Sequence, residues 1–175
     1  MKRSHLFAAL FFATAIITTS CDKDDDNNNT TPSATDRNFM TSVAYANVNE
    51  IDFAQLALTK SANDSVKNFA QMMITDHTNA KTALDSLGSR YAISLPAGID
   101  SAHSAMKTQL MALSGYGFDT AYMNGQINDH NATISLFQNE VNSGNNSDIK
   151  NYATRNLPNL QMHKQHADSV RASLD

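Results

Sequence analysis

From Asp36 to Leu174, apolar residues recur in steps of three and four, the period of an α-helix that buries one face. Asp36 stands where it can cap a first helix, whose stripe is Phe39, Val43, Ala46, Glu50, Phe53 and Ala57. Asn63-Asp64-Ser65 opens a second, with Val66, Phe69, Ala70, Met73, His77, Ala80, Leu84, Leu87 and Tyr91 in line, and Gly88 and the segment Ser94-Leu95-Pro96-Ala97-Gly98 close it. A short third helix is expected from about Asp100 to Ser114, ended by Gly115 and Gly117. The fourth starts near Phe118 and carries Met123, Ile127, His130, Ile134, Phe137 and Val141. The fifth carries Ile149, Ala153, Leu157, Leu160, His163, Ala167, Val170 and Leu174, with a kink expected at Pro158, where a backbone donor is missing. Four helices of about 25 residues, each about 35–40 Å long, predict an all-α four-helix bundle with one short extra helix in the connection. The pattern leaves open whether that connection reverses the chain or runs the length of the bundle.

Three histidines interrupt these stripes. His77, His130 and His163 each lie near the middle of a long helix, on the face otherwise given to apolar residues. Two share a setting, Ile74-Thr75-Asp76-His77 and Ile127-Asn128-Asp129-His130. Mid-helix positions meet in one layer, so the imidazoles can converge, with Glu50 supplying a carboxylate from the first helix. Facing helices of a bundle commonly build metal sites from such positions, and imidazole with carboxylate suits Zn, Cu, Fe or Mn. His166, one turn after His163, is a weaker additional ligand. Asp76 and Asp129 point about 100° away from the histidines they precede, toward the flank, as caps or cation binders. The alternative is a satisfied polar layer in which each imidazole donates to a carbonyl or to Glu50 and sets helix register. His103 reads as a partly exposed residue of the loop and short helix.

Composition excludes several functions. A net charge of −4, with no Lys/Arg cluster beyond residues 2 and 3, argues against a nucleic-acid partner. Only two glutamates occur, Glu50 and Glu140, and no Glu-x-x-His, which excludes a standard di-iron carboxylate centre. Glu140 lies about 15 Å along its helix from His130. No phosphate loop, nucleophile elbow or His-Glu-x-x-His is present, so no catalytic residue is assigned.

The first 35 residues read as address and tether. Lys2 and Arg3 precede an apolar run, Leu6 to Ile17, too short to span a bilayer as a mature helix. Thr18-Thr19-Ser20 then lead into Cys21, the single cysteine, in a pattern that resembles a bacterial lipobox, although Thr18 stands where Leu is usual. Residues 1–20 are therefore expected to be a lipoprotein signal peptide, and Cys21 the lipidated anchor to a membrane. The tract Asp22-Lys23-Asp24-Asp25-Asp26-Asn27-Asn28-Asn29 continues a solvated tether to residue 35. It also resembles the surface-export signal of Bacteroidetes lipoproteins, which implies the outer membrane, facing periplasm or exterior.

Several runs together resemble the bacterial domain of unknown function 4142. They are Phe69-Ala70-Gln71-Met72-Met73-Ile74-Thr75-Asp76-His77-Thr78, Ser114-Gly115 with Phe118-Asp119 and Tyr122, Asp129-His130, Leu136-Phe137, and Leu157-Pro158-Asn159-Leu160 followed by His163. The resemblance implies a ferritin-like bundle over 36–175 and an exported protein, often labelled an outer-membrane protein, of no established activity. It maps the family's recurrent histidines onto His77, His130 and His163 and its helix-one acid onto Glu50, while Gln138 stands where many relatives carry Glu. The expected function is an envelope lipoprotein with a metal- or ligand-binding histidine layer, in envelope stress or metal handling. The alternative is a non-catalytic structural or interaction module whose histidines are packing polars; protein partners are not specified.

Overall fold

The computed structural model describes residues 31–175, so the signal peptide and Cys21 expected from sequence lie outside the described residues. The described residues form five helices and no strand: α1 Ala34–Lys60, α2 Asp64–Arg90, α3 Ser101–Met111, α4 Gly115–Ser143 and α5 Ser147–Ala172. Among them no helix is long and apolar enough to cross a membrane.

Side-chain caps set most of the helix starts. Ser33, rather than Asp36, caps α1: its hydroxyl accepts from the Asp36 amide, and Asp36 at N3 accepts from the Ser33 amide, closing a capping box. Asp36 does more at its other oxygen, which accepts from the amides of Asn145 and Asn146 and ties the α4–α5 turn to the start of α1. Asn63 and Asn146 start α2 and α5 in the same way, each accepting from the amides two and three residues on. Asp100 caps α3. Gly115 and Gly117 do not break the chain as expected but lie inside the first turn of α4, which begins three residues earlier than Phe118. Gly115 takes φ +52 directly after the Ser114 cap, a conformation that costs glycine little. Gly88 likewise remains within α2. A Cβ there would sit 2.9 Å from the Leu95 side chain, because the chain folds back and the Ile93 amide donates to the Gly88 carbonyl. Helix α5 continues through Pro158.

The four long helices pack in a closed ring, α1 against α2, α2 against α5, α5 against α4 and α4 against α1. Lys60, at the end of α1, lies over the ring of Phe118 at the start of α4, whereas Asp36 meets the turn that follows α4. Helices α2 and α4 therefore run in the same direction, and the connection between them runs the full length of the ring. Helix α3 rides on that connection across the α1/α4 face, held by Asn49 to Asp100, Lys107 to Asp52 and Lys60 to the Met111 carbonyl.

The core divides into two apolar halves. One, toward Lys60, contains Phe53, Val66, Phe69, Met73, Phe118, Met123 and Val170. The other, toward Ser33, contains Phe39, Met40, Leu84, Phe137, Ile149, Tyr152 and Leu160. Every long helix passes from one half to the other, and the residues at the passage are polar: Asn47 and Glu50, His77, Gln126 and His130, His163.

Candidate metal centre

At the junction the three stripe histidines converge. His77 is 4% exposed, His130 1% and His163 2%. Their ring centroids stand 5.8 Å (77–130), 5.5 Å (77–163) and 5.5 Å (130–163) apart. One nitrogen from each ring lies within 4.8 Å of the others. The layer arises because each histidine occupies an apolar-stripe position at mid-helix. The helical period turns it inward, and the ring of helices brings three of the four midpoints together.

Each imidazole gives its other nitrogen to an oxygen. His77 Nδ1–H donates to Asn47 Oδ1 at 2.9 Å. His130 Nδ1–H donates to the Gln126 carbonyl, one turn back on α4, at 2.9 Å. His163 Nε2–H donates to Asp76 Oδ2 at 2.9 Å, from α5 across to α2. A carbonyl and a carboxylate only accept, so the second nitrogen of a neutral ring is left with a lone pair. Those second nitrogens, His77 Nε2, His130 Nε2 and His163 Nδ1, are buried and have no hydrogen-bond partner. Three lone pairs thus face one another without a proton between them.

Electrostatics keeps the rings neutral. Burial holds His77 well below the usual imidazole range, and the two neighbouring imidazoles push it further down. Burial also lowers His130, against a rise from the Gln126 carbonyl and Asp129. It lowers His163 too, partly offset by Asp76. Neutral imidazole is the form that ligates a metal.

Glu50 is buried but stands behind His130, with Oε1 3.4 Å from Nδ1, and is not among the converging donors. Burial, with the charge of Asp129, pushes its carboxyl up to about 8, and Gln126 tempers the rise. His166 points away from the layer: it is exposed and meets Phe69 edge to face. Glu140 is far from the layer, packed beneath Gly144 beside Asp36, and burial lifts it to about 7. The sequence reading missed Asn47, one turn before Glu50, and Gln126, one turn before His130. Their spacing was a usable signal. It placed Asp76 on the flank, which is correct, but did not identify the flank as the side facing His163.

The donor set fits a transition metal. Metal–nitrogen bonds of about 2.0–2.1 Å put three ligating nitrogens about 3.4 Å apart, so each nitrogen here would move inward by less than about 1 Å. Three imidazoles without thiolate suit Zn or Cu best among first-row ions. The oxygen on the far nitrogen of each ring is the outer shell that orients metal-bound histidines. Beside His77 and His163 lies a cavity of about 30 Å³, lined also by Asn47, Asp76 and Tyr152. It is large enough for one or two waters at about 10–15 Å³ each, room for a small fourth ligand.

The family model described as domain of unknown function (DUF4142) matches residues 22–170. Comparison with curated proteins gave no match. Among solved structures, a DUF305 fragment from Deinococcus radiodurans is similar at TM-score 0.74 and 11% identity, covering 82% of this chain and 99% of that one. A DUF305 protein from Streptomyces coelicolor, predicted to be secreted, is similar at TM-score 0.68 and 12% identity, covering 80% and 93%. At such identities the likeness shows the helical fold alone.

Proposed function

The chain belongs to the DUF4142 family, which has no assigned chemistry, and we propose from the site itself that it is an exported envelope lipoprotein whose ferritin-like four-helix bundle binds a transition-metal ion through His77, His130 and His163. The observation that carries this reading is the convergence of three partnerless lone pairs in a buried layer. A packing layer of polar residues would bring donors to acceptors, because a buried unpaired acceptor costs about 1–3 kcal/mol. Here three such acceptors share one spot, and a cation satisfies all of them at once. Export is supported by the sequence of residues 1–29 and by the structural relative predicted to be secreted. Lipidation at Cys21 is supported by the small residues before it, and would hold the domain to the outer membrane by its α1 end.

Elemental analysis of the full chain, purified without a histidine tag or chelator, tests the reading beside a His77→Ala/His130→Ala/His163→Ala variant. Near-stoichiometric Zn or Cu in the first and none in the second is the expected result. Absence of metal in both, after exposure to Zn, Cu, Fe and Mn, would leave a polar packing layer. His130→Ala alone is expected to remove the metal-dependent part of the stability, about 2.7 kcal/mol at a metal concentration 100 times Kd.

A further inference from the structure

A second group of ligand-type side chains lies on the α1/α3/α4 face, on the side of Glu50 away from the three histidines. A cavity of about 140 Å³ opens there, lined by Ser42, Tyr45, Asn49, Glu50, Asp100, His103 and Asp129. Three carboxyl groups and one imidazole share it. Asp100 is fully committed: it caps α3, accepts from the Asn49 amide at 2.8 Å, and holds the Nδ1–H of His103 at 2.7 Å. That last contact orients the ring, as a carboxylate does behind a metal-bound histidine. It leaves His103 Nε2 facing Asp129 Oδ2 at 3.6 Å, an ion pair when the ring is protonated and two neighbouring donors for a cation when it is neutral. Glu50, 5% exposed, lines the same cavity with its Oε2 buried and without a partner, and its carboxyl, which burial keeps protonated up to about 8, releases that proton when a cation binds. Within this cavity the only basic side chain is that one imidazole.

We infer that Glu50, His103 and Asp129 form an outer cation site for a hard, partly hydrated divalent ion of the Mg²⁺/Mn²⁺ class, separate from the three-histidine centre. A volume of 140 Å³ accommodates the ion with its waters, at about 10–15 Å³ per water. Oxygen donors with a single imidazole favour Mn²⁺ over copper, the reverse of the inner centre. The site rests on α3, whose place across α1 and α4 follows from the long connection. The inference does not depend on whether the inner histidines bind metal.

Mn²⁺ titration of the full chain, read by electron paramagnetic resonance of the free ion, is the test. The expected result is one Mn²⁺ per chain in wild type and in His77→Ala/His163→Ala. Asp129→Asn and His103→Gln should each weaken it at least about tenfold, with helical circular dichroism and melting temperature retained, as for loss of a ligand or its orienting shell. Glu50→Gln provides a further isosteric check in the same direction. Absence of Mn²⁺ binding at millimolar concentration would overturn the inference. So would Mn²⁺ binding unchanged by Asp129→Asn, or binding lost in His77→Ala/His163→Ala, which would assign the ion to the inner centre.

Discussion

Helices α2 and α4 carry the same pair at the same height, Asp76-His77 and Asp129-His130, each two residues after an isoleucine. Both histidines enter the central layer, and both aspartates take the flank about 100° round. There the likeness ends. Asp76 faces α5 and holds His163 by a 2.9 Å hydrogen bond, so it orients a member of the layer. Asp129 faces α3 and stands 3.6 Å from His103, in the outer cavity. The neighbour differs because Asp76 lies on the α5 side of α2, whereas the long connection lays α3 across the α1/α4 face where Asp129 emerges. Identical local sequence acquires a role from the side chain that tertiary packing brings to its flank.

Exchanging one carboxylate at a time breaks this pair apart most directly. Asp76→Asn is expected to weaken Zn²⁺ or Cu²⁺ binding at the histidine centre by about 10- to 100-fold, as for loss of an orienting partner. Asp129→Asn should leave the same affinity within about fivefold, since a partly exposed charge of this kind, 25% accessible, couples by about 1 kcal/mol or less. Competition titration against a chelator of known affinity measures both. Equal losses in the two variants would show that the aspartates act through charge alone.

A second contrast lies between the layer and the apolar halves on either side. Phe69→Ala in one half should cost about 3–5 kcal/mol whether or not metal is present. His77→Leu/His130→Leu/His163→Leu should leave apo stability unchanged or higher by about 1–4 kcal/mol, because apolar groups replace buried acceptors that have no protein partner. The variant should also lose all stabilisation by metal. Urea unfolding of apo and metal-loaded protein gives both values. A large apo destabilisation would make the layer structural.

A third contrast is in pH. The folded chain depresses the three imidazoles, so between their folded pKa values and about 6.5 the unfolded chain binds more protons. Their contribution is complete above about 6.5 and is lost on acidification, by up to about 1.4 kcal/mol per pH unit for each ring. Glu50 and Glu140 act in the opposite sense. Folding raises them to about 8 and about 7, so their contribution is complete below about 4.5 and is lost as pH rises. Apo wild type is therefore expected to lose stability on both sides of a maximum, and the triple leucine variant to show only the alkaline decline. Denaturant midpoints from pH 4.5 to 8.5, run for both proteins, give the difference; an acid limb that persists in the variant would place it outside the histidines.

Helix period, helix number and the inward direction of His77, His130 and His163 are all local properties. A residue's angle on a helix follows from its spacing to neighbours three and four positions away, so those features were readable in the chain, as was the start of α2 at Asn63. The start of α4 was misplaced because Gly115 and Gly117 are poor helix formers that packing of Phe118 and its neighbours overrides. Glu50 was expected to supply a carboxylate to the layer and stands at that level but behind His130, since height along a helix does not specify which neighbour a side chain meets. The course of the long connection, the partners of Asp76 and Asp129, and the lone pairs left facing one another depend on contacts between different helices, among residues 26 or more positions apart. Such contacts arise only when whole helix faces are buried together. The sequence by itself determined which residues turn inward and at what level; the tertiary structure alone decided which of them meet.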